Sequence, residues 1–225
     1  NLEKIDQMSK RKTKVLELNN IDIYGKQFNG FKIAEQLFLK PNVNFEITQV
    51  VNHKLSDAPF VKPLYSNIAQ LNSRFETFDW RIDSLEQKLN TKNQFSISEE
   101  GLINNSLYKE ADILHFHMYH NMKLPIEFLE RIPSSKKIIL DLHDTFWLTD
   151  KNIQMLEVFK FSNTNKRSLD KQRKRIIGNP NIYLLAHSPY MLRLAKKSNI
   201  TNNKKCFYIP LGIDTKIFKP ANDRI

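Results

Sequence analysis

The chain has 225 residues, of which 40% are hydrophobic and 11% aromatic. This composition supports a packed core and excludes wholesale disorder. Lys and Arg number 35 against 24 Asp and Glu, giving a net charge of +11. Such a surplus is typical of proteins that meet phosphate groups, nucleic acid or an anionic membrane. Abundant Lys and Asn also fit an AT-rich genome, so charge alone does not choose a partner.

Cys206 is the only cysteine, which excludes an intrachain disulfide and a cysteine-rich zinc site. This cysteine usage favours a cytosolic protein. The sequence has no apolar run that approaches the length of a membrane span, and its first residues lack the apolar core of a signal peptide. We therefore expect a cytoplasmic protein that associates with a membrane only peripherally, on its inner face.

The first third of the chain begins with a strand pattern at residues 14–20, followed by a loop that contains glycine. Apolar residues recur at helical spacing from Phe31 and predict a helix that ends before Pro41. Residues 44–53 are rich in β-branched side chains and predict the second strand. Together these segments predict a βαβ unit.

The rest of the chain continues the alternation of strands and helices. One or two helices are predicted in residues 66–90, and a loop in residues 94–108 with a short strand at 94–97. Further strands are predicted at 111–117, 136–143, 181–186 and 206–210, separated by helices at 125–132, 152–177 and 189–198. This order predicts a Rossmann-like, doubly wound α/β fold with a mainly parallel sheet and helices on both faces.

Gly25 and Gly30 lie between the first predicted strand and the first predicted helix. In a doubly wound fold the backbone approaches phosphate at this point, because a helix N-terminus presents free N–H groups and partial positive charge. The spacing is not G-x-G-x-x-G, so no dinucleotide fingerprint is claimed. Two turn glycines are the alternative interpretation.

The central strand changes from apolar to polar at its end, in A-D-I-L-H-F-H-M-Y-H-N at residues 111–121. It supplies His115, His117 and His120. The predicted strand at 136–143 ends in His143, which Asp144 follows. Because the carboxyl ends of parallel strands meet at one edge of an open sheet, we expect these side chains to line one site.

The H-x-H pair has a metal-binding interpretation, because alternate residues of a strand share a face. Amidohydrolase-type and metallo-β-lactamase-type enzymes use such pairs, but Tyr119 stands where the second type has a carboxylate. No other cluster completes a ligand set, since His53 and His187 stand alone in the sequence. We therefore expect no metal. The alternatives are a buried His115 with a backbone hydrogen bond, and hydrogen bonds to a polyol or phosphate ligand.

Positive charge is concentrated in the predicted helix at residues 152–177. This basic cluster could contact phosphates or anionic lipid, while Asp170 and the helical spacing equally fit a solvated helix face. The sequence has no aromatic-interleaved basic surface or RNA-binding signature, so we expect no nucleic-acid partner. The basic cluster consists of Lys166, Arg167, Lys171, Arg173, Lys174 and Arg175.

The segment C-F-Y-I-P-L-G-I-D-T-K-I-F-K-P, residues 206–220, resembles the I-P-N-G-V-D-x-x-x-F-x-P segment of GT-B glycosyltransferases of family four. Asn29-Gly30 resembles their Gly-Gly loop, with Asn29 in place of the first glycine. Residues 111–117 resemble the A-D-I-I-H-x-H strand. Residues 142–149 and 187–190 resemble the L-H-D-x-W-x-x-T segment and the P-S-x-W/Y turn of colanic-acid and capsule-type members.

The resemblance covers residues 14–220 and implies the N-terminal half of a GT-B fold. A polar leader would occupy residues 1–13, an acceptor-side domain residues 14–218 and the start of an interdomain linker residues 219–225. On this interpretation the C-terminal domain, which carries most nucleotide-sugar contacts in this family, would be absent from residues 1–225, so we expect the isolated domain to be inactive.

The activity that the resemblance implies is that of a retaining, metal-independent hexosyltransferase of polysaccharide biosynthesis. It would move a sugar from a nucleotide sugar to a glycan or lipid-linked acceptor. Expected partners are these substrates, the chain's own C-terminal domain and an anionic membrane surface. The alternatives are a non-catalytic binding or scaffold module of the same fold and a metal-dependent hydrolase built on the H-x-H strand end.

The resemblance also implies roles for individual residues. Gly30, with Asn29, would offer backbone N–H groups to the donor diphosphate. His117 would be the catalytic residue that hydrogen-bonds the acceptor hydroxyl or the transferred sugar, since an acceptor hydroxyl needs an oriented partner. The cleft-lining residues would be His120, His143 and Asp144.

Overall fold

The computed structural model of the chain describes residues 11–23, 28–40, 43–64, 99–122, 124–148, 166–201 and 206–212. A seven-stranded sheet organises these residues, with the strand order β3-β2-β1-β4-β5-β6-β7. Every neighbouring pair is parallel, which confirms the predicted Rossmann-like α/β fold. The strands are β1 (Thr13–Ile21), β2 (Phe45–His53), β3 (Val61–Pro63), β4 (Ile113–Phe116), β5 (Lys137–Leu142), β6 (Ile182–Ala186) and β7 (Cys206–Tyr208).

Helices follow most of the strands. In the described ranges they are α1 (Phe28–Phe38), α2 (Glu99–Asn104), α3 (Ser106–Glu110), a 3-10 helix (Tyr119–Met122), α4 (Phe128–Arg131), α5 (Lys166–Ile177) and α6 (Pro189–Lys197). Among them, no helix combines the length and the apolar composition that crossing a membrane requires.

Helices cover both faces of the sheet, as alternation along β1 shows. Leu16 and Leu18 belong to the larger buried cluster, whereas Val15 packs against the smaller one. α1 covers the smaller cluster with Phe31 and Ala34. The larger cluster takes its helical residues from α2 to α6, including Leu102, Tyr108, Phe128, Leu129, Ile176, Ile177, Met191 and Ala195.

The sheet reverses its direction of winding between β1 and β4. β1 pairs with β2 on one side and with β4 on the other, so successive crossovers leave the centre in opposite directions. In open α/β sheets such a switch point opens a crevice outside the carboxyl ends of the strands. His117, which directly follows β4, lies at this point.

Some local predictions were wrong. Where it is described, the predicted loop at 94–108 forms α2 and the first residues of α3. α3 begins there because the Asn105 side chain accepts a hydrogen bond from Leu107 N. Gly30 was expected ahead of the first helix, but α1 begins at Phe28 and includes it. β3 was not predicted, because three residues are too short to show a strand's alternation.

Other predictions fall on residues outside the described ranges. These are most of the polar leader, the helices at 66–90, the strand at 94–97, the first half of the helix at 152–177 and the interdomain linker.

Candidate functional site

A band of buried polar side chains crosses the α1 face of the sheet at the switch point. The register explains it: Glu17 pairs with Gln49 on one side and with His115 on the other, so all three point to the same face. The adjoining strands continue the band toward their carboxyl ends. Its members are Glu17, Asn19, Gln49, His115, His117, Asp141, His143 and His187.

Two carboxylates and two imidazoles form a closed ring at the centre of this band. His115 Nε2 lies 2.9 Å from Asp141 Oδ1, and its Nδ1 lies 3.6 Å from Glu17 Oε1. His117 Nδ1 lies 2.5 Å from Asp141 Oδ2, and its Nε2 lies 3.6 Å from Glu17 Oε2. Both nitrogens of each imidazole therefore face a carboxylate.

This geometry favours the charged form of every member of the ring. A neutral imidazole has one N–H, so facing two acceptors favours protonation of both nitrogens. Burial alone lowers the pKa of both histidines, but the carboxylates outweigh it, raising the pKa of His115 to about 10 and that of His117 as well. Burial alone would raise the pKa of each carboxyl, but the histidines hold the pKa of Glu17 below its usual range and that of Asp141 well below it.

Asp141 also faces two further histidines at the edge of the band. Its Oδ2 lies 3.3 Å from His143 Nε2 and 3.4 Å from His187 Nε2, and the rings of these histidines are 4.9 Å apart. The other nitrogen of His187, Nδ1, lies 2.9 Å from the carbonyl oxygen of Ile209, beyond β7. Despite the opposing effect of burial, Asp141 and this carbonyl raise the pKa of His187. Asp141 thus contacts histidines that directly follow β4, β5 and β6.

The first turn of α1 packs directly on this ring. A β-carbon on Gly30 would lie 2.5 Å from Asn19 Nδ2 and 2.9 Å from His117 Cδ2, so only glycine fits there. As the third residue of α1, Gly30 lies in the turn whose N–H groups have no intrahelical partner. Met118, with a φ of 49°, turns the chain away immediately after His117.

The structure brings together three of the residues predicted for the site, namely Gly30, His117 and His143. Asp144 is partly buried, and its Oδ1 accepts a hydrogen bond from Phe146 N, which stabilises a local turn. The side chains of Asn29 and His120 lie outside the described part of the chain, although their backbones belong to α1 and the 3-10 helix.

Two sequence-based interpretations of the histidines were wrong. His115 was expected to pack with a backbone hydrogen bond, but its partner is the side chain of Asp141. His187 was read as isolated, but the parallel pairing of β5 with β6 places it beside His143. The sequence held no local signal for this contact, because it depends on which strands become neighbours.

Sequence reasoning also missed Glu17 and Asp141. Each stands inside an apolar strand, in V-L-E-L and I-I-L-D-L, and each carboxylate is fully buried. A charged residue at a position that the pattern predicts to be buried is rarely tolerated without a partner. A charged residue at a position predicted to be buried was therefore the signal that each carboxylate needs a partner. The partners are the histidines of the predicted strand at 111–117.

The basic cluster on α5 is only partly a solvated face. The Arg173 side chain is largely buried, with its guanidinium carbon 4.5 Å from the centre of the Phe146 ring. The Arg175 guanidinium donates two hydrogen bonds to the Glu130 carboxylate, from Nε to Oε1 at 2.5 Å and from Nη2 to Oε2 at 2.8 Å. Lys171 and Lys174 remain exposed, and the side chains of Lys166 and Arg167 lie outside the described ranges.

No protein-family model and no curated protein matches the chain. Its function is therefore inferred from the residues of the site and from the order of its sequence motifs.

Proposed function

We propose that this chain is the acceptor-side half of a retaining glycosyltransferase that transfers a sugar from a nucleotide sugar to a glycan or lipid-linked acceptor. The observation that carries the proposal is the contact between Gly30 and His117 at the switch point of the sheet. It joins a helix N-terminus, which favours an anionic diphosphate, to an imidazole that can meet a sugar hydroxyl. The motif order from residue 14 to residue 220 supports the same activity.

The donor diphosphate would lie against the first turn of α1. Gly30 would supply backbone N–H groups there, together with Asn29, since their backbones belong to that turn. A departing nucleoside diphosphate gains negative charge, and fixed donors with a helix dipole stabilise it without reorganisation. The transfer as proposed needs no metal.

His117 would meet the acceptor hydroxyl or the transferred sugar, but its side chain is 1% exposed. Both of its nitrogens face carboxylates, so a substrate hydroxyl would replace one of these contacts. His143, whose side chain is 13% exposed, is the more accessible histidine at this edge and would line the cleft with His120 and Asp144. Asp141 and Glu17 would hold His117 in place.

The test is sugar transfer by the whole protein, including the C-terminal domain that the proposal requires. Release of nucleoside diphosphate would be measured over a panel of nucleotide sugars, with a cell-membrane extract as the source of acceptors. Replacing His117 by Ala should lower kcat by at least about 100-fold, as for loss of a residue that positions a reacting proton. His53→Ala, at the end of β2, is the matched control and should transfer at the wild-type rate.

Two results would count against the proposal: one against the role of His117 and the other against the enzymatic function. A wild-type transfer rate in His117→Ala would overturn the role given to this residue. A whole protein that neither transfers sugar nor hydrolyses any nucleotide sugar of the panel would overturn the enzymatic function. Binding of a nucleotide sugar without transfer would instead support the alternative of a binding module.

We also propose that the enzyme works at the cytoplasmic face of a membrane, where lipid-linked acceptors would be found. The support is the net charge and the exposed Lys171 and Lys174 on α5. Reversing both charges to Glu should reduce cosedimentation with anionic lipid vesicles, while neutral vesicles serve as the control. Unchanged binding to anionic vesicles would remove α5 from this role.

A further inference from the structure

Several polar atoms of the band are buried without a hydrogen bond, and Asp141 Oδ2 and three nitrogens that face it are among them. This oxygen, His117 Nδ1, His143 Nε2 and His187 Nε2 are all buried, and none of them makes a hydrogen bond of acceptable geometry. Buried polar atoms are normally satisfied, because an unpartnered one keeps its full desolvation cost. Three of these atoms are nitrogens that face Asp141 Oδ2, and all four are of types that ligate metals, which fits a cation-binding site.

The distances fit a metal ion. His117, Asp141 and His143 each offer one ligand atom, and these atoms all lie within 4.8 Å of one another. Tetrahedral Zn²⁺, with bonds of about 2.0–2.1 Å, separates its ligand atoms by roughly 3.3 Å. Asp141 Oδ2 lies 3.3 Å from His143 Nε2 and 3.4 Å from His187 Nε2, close to this value. His117 Nδ1, at 2.5 Å from Oδ2, would have to retreat.

His187 also has the outer contact that metal-binding histidines have. Its Nδ1 faces the carbonyl oxygen of Ile209, which can only accept, so Nδ1 carries a proton. In the neutral ring Nε2 then presents a lone pair toward Asp141. Such a hydrogen bond from the second nitrogen fixes the tautomer and the ring orientation of a metal ligand.

We propose that the chain binds one divalent transition-metal ion of the Zn²⁺ class through Asp141, His143 and His117. His187 lies beside Asp141 but outside this group, so its ring would have to move closer to become a fourth ligand. The two buried carboxylates of the band supply the negative field, and the ion displaces the imidazole protons that otherwise balance it. Nitrogen and carboxylate ligands in this number suit Zn²⁺ and its neighbours better than Mg²⁺ or Ca²⁺.

A second group, formed by Glu17, His115 and His117, is a weaker candidate although its atoms also lie close together. It lies deeper in the band, with the Glu17 side chain fully buried, and His115 Nε2 already bonds Asp141. The partial exposure of His143 instead offers an ion a route to Asp141.

Metal binding by these residues does not depend on the proposed sugar transfer. The proposed sugar transfer uses no metal, and an ion that holds His117 would compete with its contact to a substrate. Transfer by metal-free protein and binding of metal by the chain are therefore separate outcomes, and either can fail without the other.

The test uses Co²⁺ as a spectroscopic probe, because tetrahedral Co²⁺ has intense visible absorption. After treatment with EDTA and removal of the chelator, the chain should bind one Co²⁺, develop these bands and lose them when Zn²⁺ is added. Zn²⁺ should also raise the thermal unfolding temperature. His143→Ala and Asp141→Asn should each weaken Co²⁺ binding by at least about 100-fold, since even outer contacts of a metal site cost 10–100-fold.

His53→Ala removes a histidine that the proposed site does not use, so it controls for adventitious binding and should bind Co²⁺ as the wild type does. His143→Ala removes a partly exposed side chain, so it keeps the test valid if Asp141→Asn does not fold. Absence of tetrahedral Co²⁺ bands in the folded wild type would overturn the proposal. So would equal Co²⁺ affinity in the wild type and His143→Ala.

Discussion

Gly30 approaches His117 so closely that a β-carbon on the glycine would lie 2.9 Å from Cδ2 and 3.0 Å from Nε2 of the imidazole. The same β-carbon would lie 2.5 Å from Asn19 Nδ2. Asn19 and His117 are both buried, so neither can swing into solvent to make room. Helix α1 and the charged ring therefore meet without space for a single methyl group.

Replacing Gly30 by Ala is expected to destabilise the fold. Overpacking costs about 1–3 kcal/mol, while Ala gains up to about 1 kcal/mol over Gly inside a helix. The net loss in the free energy of unfolding should therefore be about 1–2 kcal/mol, measured by urea denaturation. Gly212→Ala is the control, because its β-carbon would meet nothing within 4 Å. An unchanged stability of Gly30→Ala would show that α1 can move away from the ring.

Replacing Asp141 by Asn should destabilise the protein more strongly. Asp141 is the one carboxylate that contacts four histidines, His115, His117, His143 and His187, in the described residues. Its loss leaves His115 and His117 with Glu17 as the one remaining carboxylate of the ring, and removal of one partner of a buried ion pair costs about 3–5 kcal/mol. We expect a loss of about 3 kcal/mol by chemical denaturation.

The matched control for Asp141 is Asp144→Asn, three residues away. Asp144 accepts a hydrogen bond from Phe146 N, which an Asn side chain can also accept. Its replacement should cost less than about 1 kcal/mol. Equal costs for the two variants would mean that the histidines become neutral easily and that Asp141 does not hold the ring together.

Much of the fold could be predicted from the sequence, because local periodicity and capping determine it. β2, predicted at 44–53, is Phe45–His53, and α6, predicted at 189–198, is Pro189–Lys197. Pro189 in the first turn and the Ser188 N-cap mark the start of α6 in the sequence itself. α3 escaped because its ends are set by caps and not by apolar periodicity, and α2 because six residues are too few to show that periodicity.

The site could be predicted only in part. His117 and His143 were expected to converge because both end strands of a parallel sheet, and their ring centres are 6.1 Å apart. Glu17 and His187 were missed because their contacts depend on which strands become neighbours in the sheet. A charge within an apolar strand has no local explanation; its partner comes from another strand.

His187 is expected to fix the end of β7 through one hydrogen bond. His187 Nδ1 bonds the Ile209 carbonyl oxygen, and Ile209 N donates to the Ala186 carbonyl oxygen. Replacing His187 by Gln keeps an amide near the position of Nε2 but loses the donor at Nδ1. Hydrogen exchange at Ile209 N should then accelerate, by roughly 5-fold for a bond worth about 1 kcal/mol.

The complementary variant is His187→Asn, whose amide nitrogen can take the place of Nδ1. It should retain slow exchange at Ile209 N while losing the contact with Asp141 Oδ2, 3.4 Å from Nε2. Equal exchange rates in the two variants would show that the bond to Ile209 does not hold this segment.

The carboxylate of Asp112 should make stability depend on pH at the opposite end of the sheet. Its oxygens accept hydrogen bonds from Lys14 N, at 2.9 Å, and from Arg11, at 2.7 Å, and these bonds hold its pKa below the usual range. A carboxyl whose pKa is lower in the folded state stabilises the protein above its unfolded pKa. That contribution is lost as the pH falls through the folded pKa.

At neutral pH, Asp112→Asn should therefore lower the free energy of unfolding, by about 0.5–1 kcal/mol because the side chain is partly exposed. The difference from wild type should be smaller at about pH 3, below the unfolded pKa of an Asp side chain, because protonation of the folded carboxylate begins to remove this contribution. Asp57→Asn, at an exposed position, should match the wild type at both pH values. A difference at Asp112 that persists in acid would assign its effect to shape and not to charge.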